Sequence, residues 1–186
     1  MSLNFDFETF CDHAAHGRLA LVQQMLDSGE VQVPVNGSLH GALLRAAENG
    51  HVDVVDYLLR HAMFDPSTYG NRAIQSAATN GHLVVVERLL RDERVDPSAD
   101  DNCAVRRAAL CGHLAVVERL LQDKRVDPSA SNNYAVGEAA RCGHLAVVER
   151  LLEDDRVDPS ANDNYAVGWA AANGHFRLCG RTTPRG

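Results

Sequence analysis

Five Gly-His pairs punctuate the chain, at Gly50-His51, Gly81-His82, Gly112-His113, Gly143-His144 and Gly174-His175, each 31 residues from the next. Histidines in a regular series invite a metal reading, because neutral imidazole is a common metal ligand. The spacing argues against it. A fixed period of roughly 20–50 residues marks stacked structural units. Equivalent atoms on stacked helices lie about 10 Å apart, whereas zinc gathers its ligands at about 2.0–2.1 Å from one point. The histidines are therefore expected to be structural. Cys111 and Cys142 also share one repeat position. A helix spacing of about 8–10 Å exceeds the ~7 Å Cα limit of a disulfide. All five cysteines (Cys11, Cys103, Cys111, Cys142 and Cys179) read as free thiols, with Cys111 and Cys142 as small, half-buried filler. Asp100-Asp101 and Asp154-Asp155 lack the spacing and the glycine of a calcium loop and read as solvated turn residues. Paired carboxylates, a nucleophile–base pair and a phosphate-cradling glycine loop do not stand out. The expectation is a non-enzyme with no metal or cofactor.

The elements that carry these residues are helices in pairs. Leu43, Ala46 and Ala47 form an i, i+3, i+4 stripe, repeated as Ile74, Ala77, Ala78, then Val105, Ala108, Ala109, then Val136, Ala139, Ala140. After each Gly-His comes a second stripe: Val52, Val55, Leu58, Leu59, then Leu83, Val86, Leu89, Leu90, then Leu114, Val117, Leu120, Leu121, then Leu145, Val148, Leu151, Leu152. The Ala pairs keep the first helix thin, so the next unit can stack flat. Gly143 is placed at the left-handed position that closes a helix, and Asp158-Pro159-Ser160 breaks the pattern into a turn or short hairpin. A divergent first unit has helices predicted over Glu8 to His16 and Leu19 to Leu26. The predicted architecture is an all-α solenoid over residues 1–180, with repeats at about 4–35, 40–69, 71–100, 102–131 and 133–162 and a partial repeat at 164–180. An irregular tail is expected over 181–186.

Composition bounds the function. Hydrophobic residues make up 45% of the chain but aromatics only 5%, which suits thin layers of Leu, Val and Ala. The net charge of −7 is spread along the chain and opposes the basic stripe of a nucleic-acid binder. Apolar runs fall short of the roughly 18–20 residues of a membrane span. The opening MSLNFDFETF lacks the charged-then-apolar layout of a secretory signal. A monomer in a reducing, cytoplasmic setting is expected, without nucleic-acid or membrane partners.

The pattern AAxxGHxxVVxxLL, carried by Ala139-Ala140, Gly143-His144, Val147-Val148 and Leu151-Leu152, resembles the ankyrin repeat. The resemblance recurs in phase over nearly the whole chain. It implies a helix–turn–helix plus a β-hairpin per repeat, stacked into a curved solenoid that binds protein partners through its concave groove and hairpin tips. Three departures stand out. Tyr134-Ala135-Val136-Gly137 and Cys103-Ala104-Val105-Arg106 replace the family's Thr-Pro-Leu-His opening. The repeat is 31 residues rather than about 33. The last repeat stops after Gly174-His175, without an evident polar cap.

Positions that vary between repeats mark where the scaffold leaves freedom. One first-helix position runs Arg45, Ser76, Arg107, Glu138, Trp169, and the one before it runs Leu44, Gln75, Arg106, Gly137, Gly168. By position in the resembled family, Tyr69, Arg106, Arg107, Leu110, Glu138, Arg141 and Trp169 are the candidate partner contacts, because aromatics and arginine dominate binding hot spots. The leading expectation is a non-enzymatic scaffold for a protein partner of unnamed identity. Two alternatives stand beside it: a substrate-recruiting arm of a larger enzyme assembly, and a drifted repeat fragment without a specific partner.

Overall fold

The computed structural model describes residues 6–29, 31 and 40–172. Two compact units divide the chain, Met1–Asp96 and Pro97–Gly186. Both are all-α stacks of helix pairs, the solenoid class, and eleven helices lie among the described residues. Gly174-His175, Cys179 and the 181–186 tail fall outside the described residues.

The first unit holds α1 (Phe7–Ala15), α2 (Leu19–Asp27), α3 (His40–Glu48), α4 (Val52–Leu59), α5 (Thr68–Thr79) and α6 (Leu83–Leu90). First helices stack on first helices, α1 on α3 on α5, and second helices on second, α2 on α4 on α6. Phe10 and Phe64 are fully buried and their rings stack at 6.1 Å. The second unit holds α7 (Ala99–Leu110), α8 (Leu114–Leu121), α9 (Ala130–Arg141), α10 (Leu145–Leu151) and α11 (Ala161–Ala172). Here α9 packs between α7 and α11, and α10 on α8.

The alanine pairs are buried as the thin-helix argument requires. On the second helices the buried face is rotated from the expected stripe. Val54, Val85, Val116 and Val147 are buried along with Val55, Val86, Val117 and Val148, while Leu90, Leu121 and Leu152 are only half-buried. Each short second helix packs against its own first helix and against the neighbouring second helix, so its apolar face is wider than a single stripe. Each fully buried valine or leucine is worth about 1.5–3 kcal/mol.

The first-to-second-helix turn closes as a Schellman motif. Gly143 sits at φ +78°, its N–H donates to the Ala140 carbonyl at 3.1 Å, and the His144 N–H donates to the Ala139 carbonyl at 2.9 Å. The alanine pair thus supplies packing and cap acceptors together. The histidine that follows reaches back one repeat. The ring Nε2–H of His51, His82 and His144 donates to the carbonyls of Ala15, Glu48 and Leu110 at 2.9, 2.9 and 3.0 Å.

The connection to the next repeat is a turn, without a strand among the described residues. Tyr69-Gly70-Asn71, Asp100-Asp101-Asn102 and Ser131-Asn132-Asn133 are three consecutive residues each in the left-handed region, with φ from 53° to 65°. The asparagine N–H closes the turn on the serine carbonyl four residues back. Its side-chain Oδ1 then accepts the backbone N–H of Asp96, Asp127 or Asp158 in the following turn, at 2.7, 2.7 and 2.9 Å. Of the acidic turn residues expected to be solvated, Asp100, Asp101 and Asp155 are exposed and Asp154 is half-buried. Asp92, Asp123 and Asp154 are gripped through both carboxylate oxygens by Arg94, Arg125 and Arg156. Two of those arginines also reach the preceding repeat, Arg94 to the Leu59 carbonyl at 3.1 Å and Arg156 to that of Val126 at 2.9 Å.

Candidate interaction face

Six of the seven candidate contact residues belong to the second unit, on α7, α9 and α11, with α9 packed between the other two. Arg106 lies over the ring of Tyr134, 5.4 Å from its centroid, and donates through Nη2 to the Asp100 carbonyl at 3.0 Å. This pairs a first helix with the aromatic residue opening the next one. Arg107, beside it, is exposed and donates from Nε to Cys103 Sγ at 3.1 Å.

Glu138 is the acidic centre of α9, with only 8% of its surface exposed. Arg141 donates to its Oε2 from Nε and Nη2 at 2.9 and 2.8 Å. Tyr165, on α11, turns its hydroxyl toward Oε1 at 3.3 Å. The bonded carboxylate holds the Arg141 guanidinium above its ordinary range. Partial burial, then the Glu138 charge, pushes the Tyr165 hydroxyl up. Trp169, 39% exposed, meets Tyr165 edge-on at a centroid separation of 6.1 Å. A pocket of about 230 Å³ opens in this face, with Ser131, Tyr134, Gly137, Glu138, Asp158 and Tyr165 in its lining.

The structure therefore joins Glu138, Arg141 and Trp169 into one cluster and puts Arg106 one repeat away in a matching pair. Leu110 behaves differently: its side chain is half-buried and its carbonyl holds the His144 ring. Tyr69 belongs to the first unit, where it is 64% exposed on a left-handed turn beside a small cleft that also includes Leu44 and Arg72. The residues that sequence reasoning missed are Tyr134 and Tyr165. Both stand in the repeat opening, Tyr134 within the stretch that departs from the family motif; their spacing of 31 residues was the available signal. Cys111 and Cys142, expected to be half-buried, are exposed at the ends of α7 and α9, because the helix stops just before the inward turn of the glycine.

A family model for ankyrin repeats, in three copies, matches residues 10–102, half of the 186-residue chain. Comparison with curated proteins gives no match.

Proposed function

Because this chain belongs to the ankyrin-repeat family, whose members are in general protein–protein interaction modules and typically non-enzymatic, we propose that it binds a protein partner and has no chemistry of its own. The face formed by α7, α9 and α11 takes the partner in the second unit, with Arg106, Arg107, Glu138, Arg141 and Trp169 in contact; Tyr69 is a separate candidate contact on the first unit. One observation carries this reading. A row of arginines and aromatics, Arg106 with Tyr134 and Arg141 with Glu138, Tyr165 and Trp169, stands on stacked helices whose buried sides barely vary. Helices locked by buried Val and Ala present such groups with little ordering cost on binding. The thiols exposed among the described residues, Cys111 and Cys142, suit a reducing, cytoplasmic setting. A monomer suffices for this function. No helix among the described residues is long and apolar enough to cross a membrane.

The test is affinity capture from lysate with the parent chain and with a variant carrying Arg107→Ala, Arg141→Ala and Trp169→Ala. A saturable partner held by the parent and lost by the variant supports the first-helix face. A partner held equally by both moves the interface elsewhere. Failure to capture any saturable partner counts against a binding role.

A further inference from the structure

We propose that the pocket between α9 and α11 receives an arginine side chain of the protein partner. The proposal rests on the binding role above and specifies what that face recognises. Its template is the repeat immediately before. There the chain supplies its own arginine: Arg106 lies over the Tyr134 ring and donates to the Asp100 carbonyl. Moving each of these residues by 31 positions gives Gly137 for Arg106, Tyr165 for Tyr134 and Ser131 for Asp100. All three replacements line the 230 Å³ pocket. The aromatic wall and the backbone turn are kept, and the cation is the part that glycine removes.

The charge changes in the same place. Glu138 takes the position of Arg107, which puts a carboxylate in the wall where the preceding repeat has a guanidinium. Asp158 also lines the pocket, with its Oδ1 accepting from the Ser160 N–H and hydroxyl. Glu138 gives Oε2 to Arg141, while Oε1 meets only the long 3.3 Å contact from Tyr165 in this cluster. An ionised carboxylate can accept at about four lone-pair sites, so acceptor capacity remains for an incoming fork of N–H donors. Gly137 is also what lets Tyr165 form the wall, since a Cβ there would lie 2.8 Å from the ring Cδ1. A planar guanidinium is attracted to an aromatic face and pairs with a carboxylate through directed, charge-assisted bonds. A lysine ammonium has the charge without the planar fork.

The test uses the full chain and a blocked pentapeptide, Gly-Gly-Arg-Gly-Gly. The chain's one tryptophan, Trp169, touches Tyr165 and reports fluorescence. Amide shifts over residues 131–138 provide a second readout. The expected result is a saturable Trp169 change with shifts confined to α9 and α11. A citrulline peptide of the same shape should bind about tenfold more weakly, since it keeps the plane and loses the charge. Glu138→Gln and Tyr165→Leu, each checked for parental helicity, should weaken the arginine peptide by about tenfold. Absence of saturation, equal binding of citrulline, or shifts centred elsewhere would overturn the proposal. A protein partner still captured through the face would then leave the binding role standing. Peptide binding without any protein partner would do the reverse.

Discussion

The recurrent glycine is held by two separate requirements at the residue scale, and they can be told apart. Gly112 sits at φ +77°, and a Cβ built on it would meet the His144 ring at 2.5 Å from Nδ1. That ring lies there because its Nε2–H is bonded to the Leu110 carbonyl. Gly29 has a similar φ of +68° with nothing within 4 Å of its Cβ position. Alanine at a left-handed position costs about 1 kcal/mol. Gly112→Ala should add the loss of the displaced ring's hydrogen bond, about 1 kcal/mol more. Urea unfolding should therefore show Gly112→Ala destabilising about twice as much as Gly29→Ala; equal effects would mean the ring relocates freely. The cysteines divide in the same way by environment. Burial pushes the Cys11 thiol up to about 11, so at pH 8 it is protonated as well as covered. Iodoacetamide followed by site-resolved mass spectrometry should modify exposed Cys111 and Cys142 quickly and leave Cys11 and Cys103 unmodified until denaturant is added. Rapid labelling of Cys11 under native conditions would show that α1 opens readily.

Between repeats, the turn elements do as much to set the stack as the helices do. In Asp123-Lys124-Arg125 and Asp154-Asp155-Arg156 the arginine closes on its own aspartate, and Arg156 also bonds the Val126 carbonyl of the previous turn. The bonded guanidinium holds the Asp123 and Asp154 carboxyls below the usual carboxylate range. Carboxylates whose folded pKa is depressed stabilise the fold above their unfolded value, about 3.9. That contribution is lost as the pH falls through the folded value. The double variant Asp123→Asn, Asp154→Asn should be less stable than the parent at pH 7, and the gap should narrow as pH falls below about 4. A gap of constant size from pH 7 to pH 3 would show that the pairs act through shape rather than charge. These turns were the least legible part of the fold in the sequence. The helices announced themselves through the Ala pairs and the Val-Val-x-x-Leu-Leu runs, because burial imposes a period that local pattern can reveal. The turn instead depends on partners 25 to 35 residues away, such as Asn102 with the Asp127 N–H and Arg94 with the Leu59 carbonyl. Asn71, Asn102 and Asn133 looked like repeat boundaries, when the asparagine is there because it tolerates positive φ and has an oxygen to spare.

For the whole molecule, repetition makes stability a sum of neighbour contacts, and function then lies where the repetition breaks. Variation between repeats made Arg106, Glu138, Arg141 and Trp169 visible in the sequence, but it could not show that Glu138 turns inward to join Arg141 and Tyr165, because that depends on how α11 lies on α9. The same neighbour logic orders local opening within the second unit. Helix α9 packs against α7, α10 and α11, whereas α11, among the described residues, packs chiefly against α9. Amides at 167–171 should therefore exchange faster than those at 136–140. If α11 lacks even one buried valine's worth of packing, about 1.5–3 kcal/mol, the difference is about tenfold or more. The pocket joins these two helices, with lining residues from both, so a ligand seated in it binds the closed stack and not the opened one. Adding the arginine peptide should slow exchange at 167–171 and leave 136–140 nearly unchanged. Equal protection of the two segments without peptide would mean that α11 is held by more than α9. Unaltered exchange in α11 at saturating peptide would separate the pocket from the α9–α11 contact.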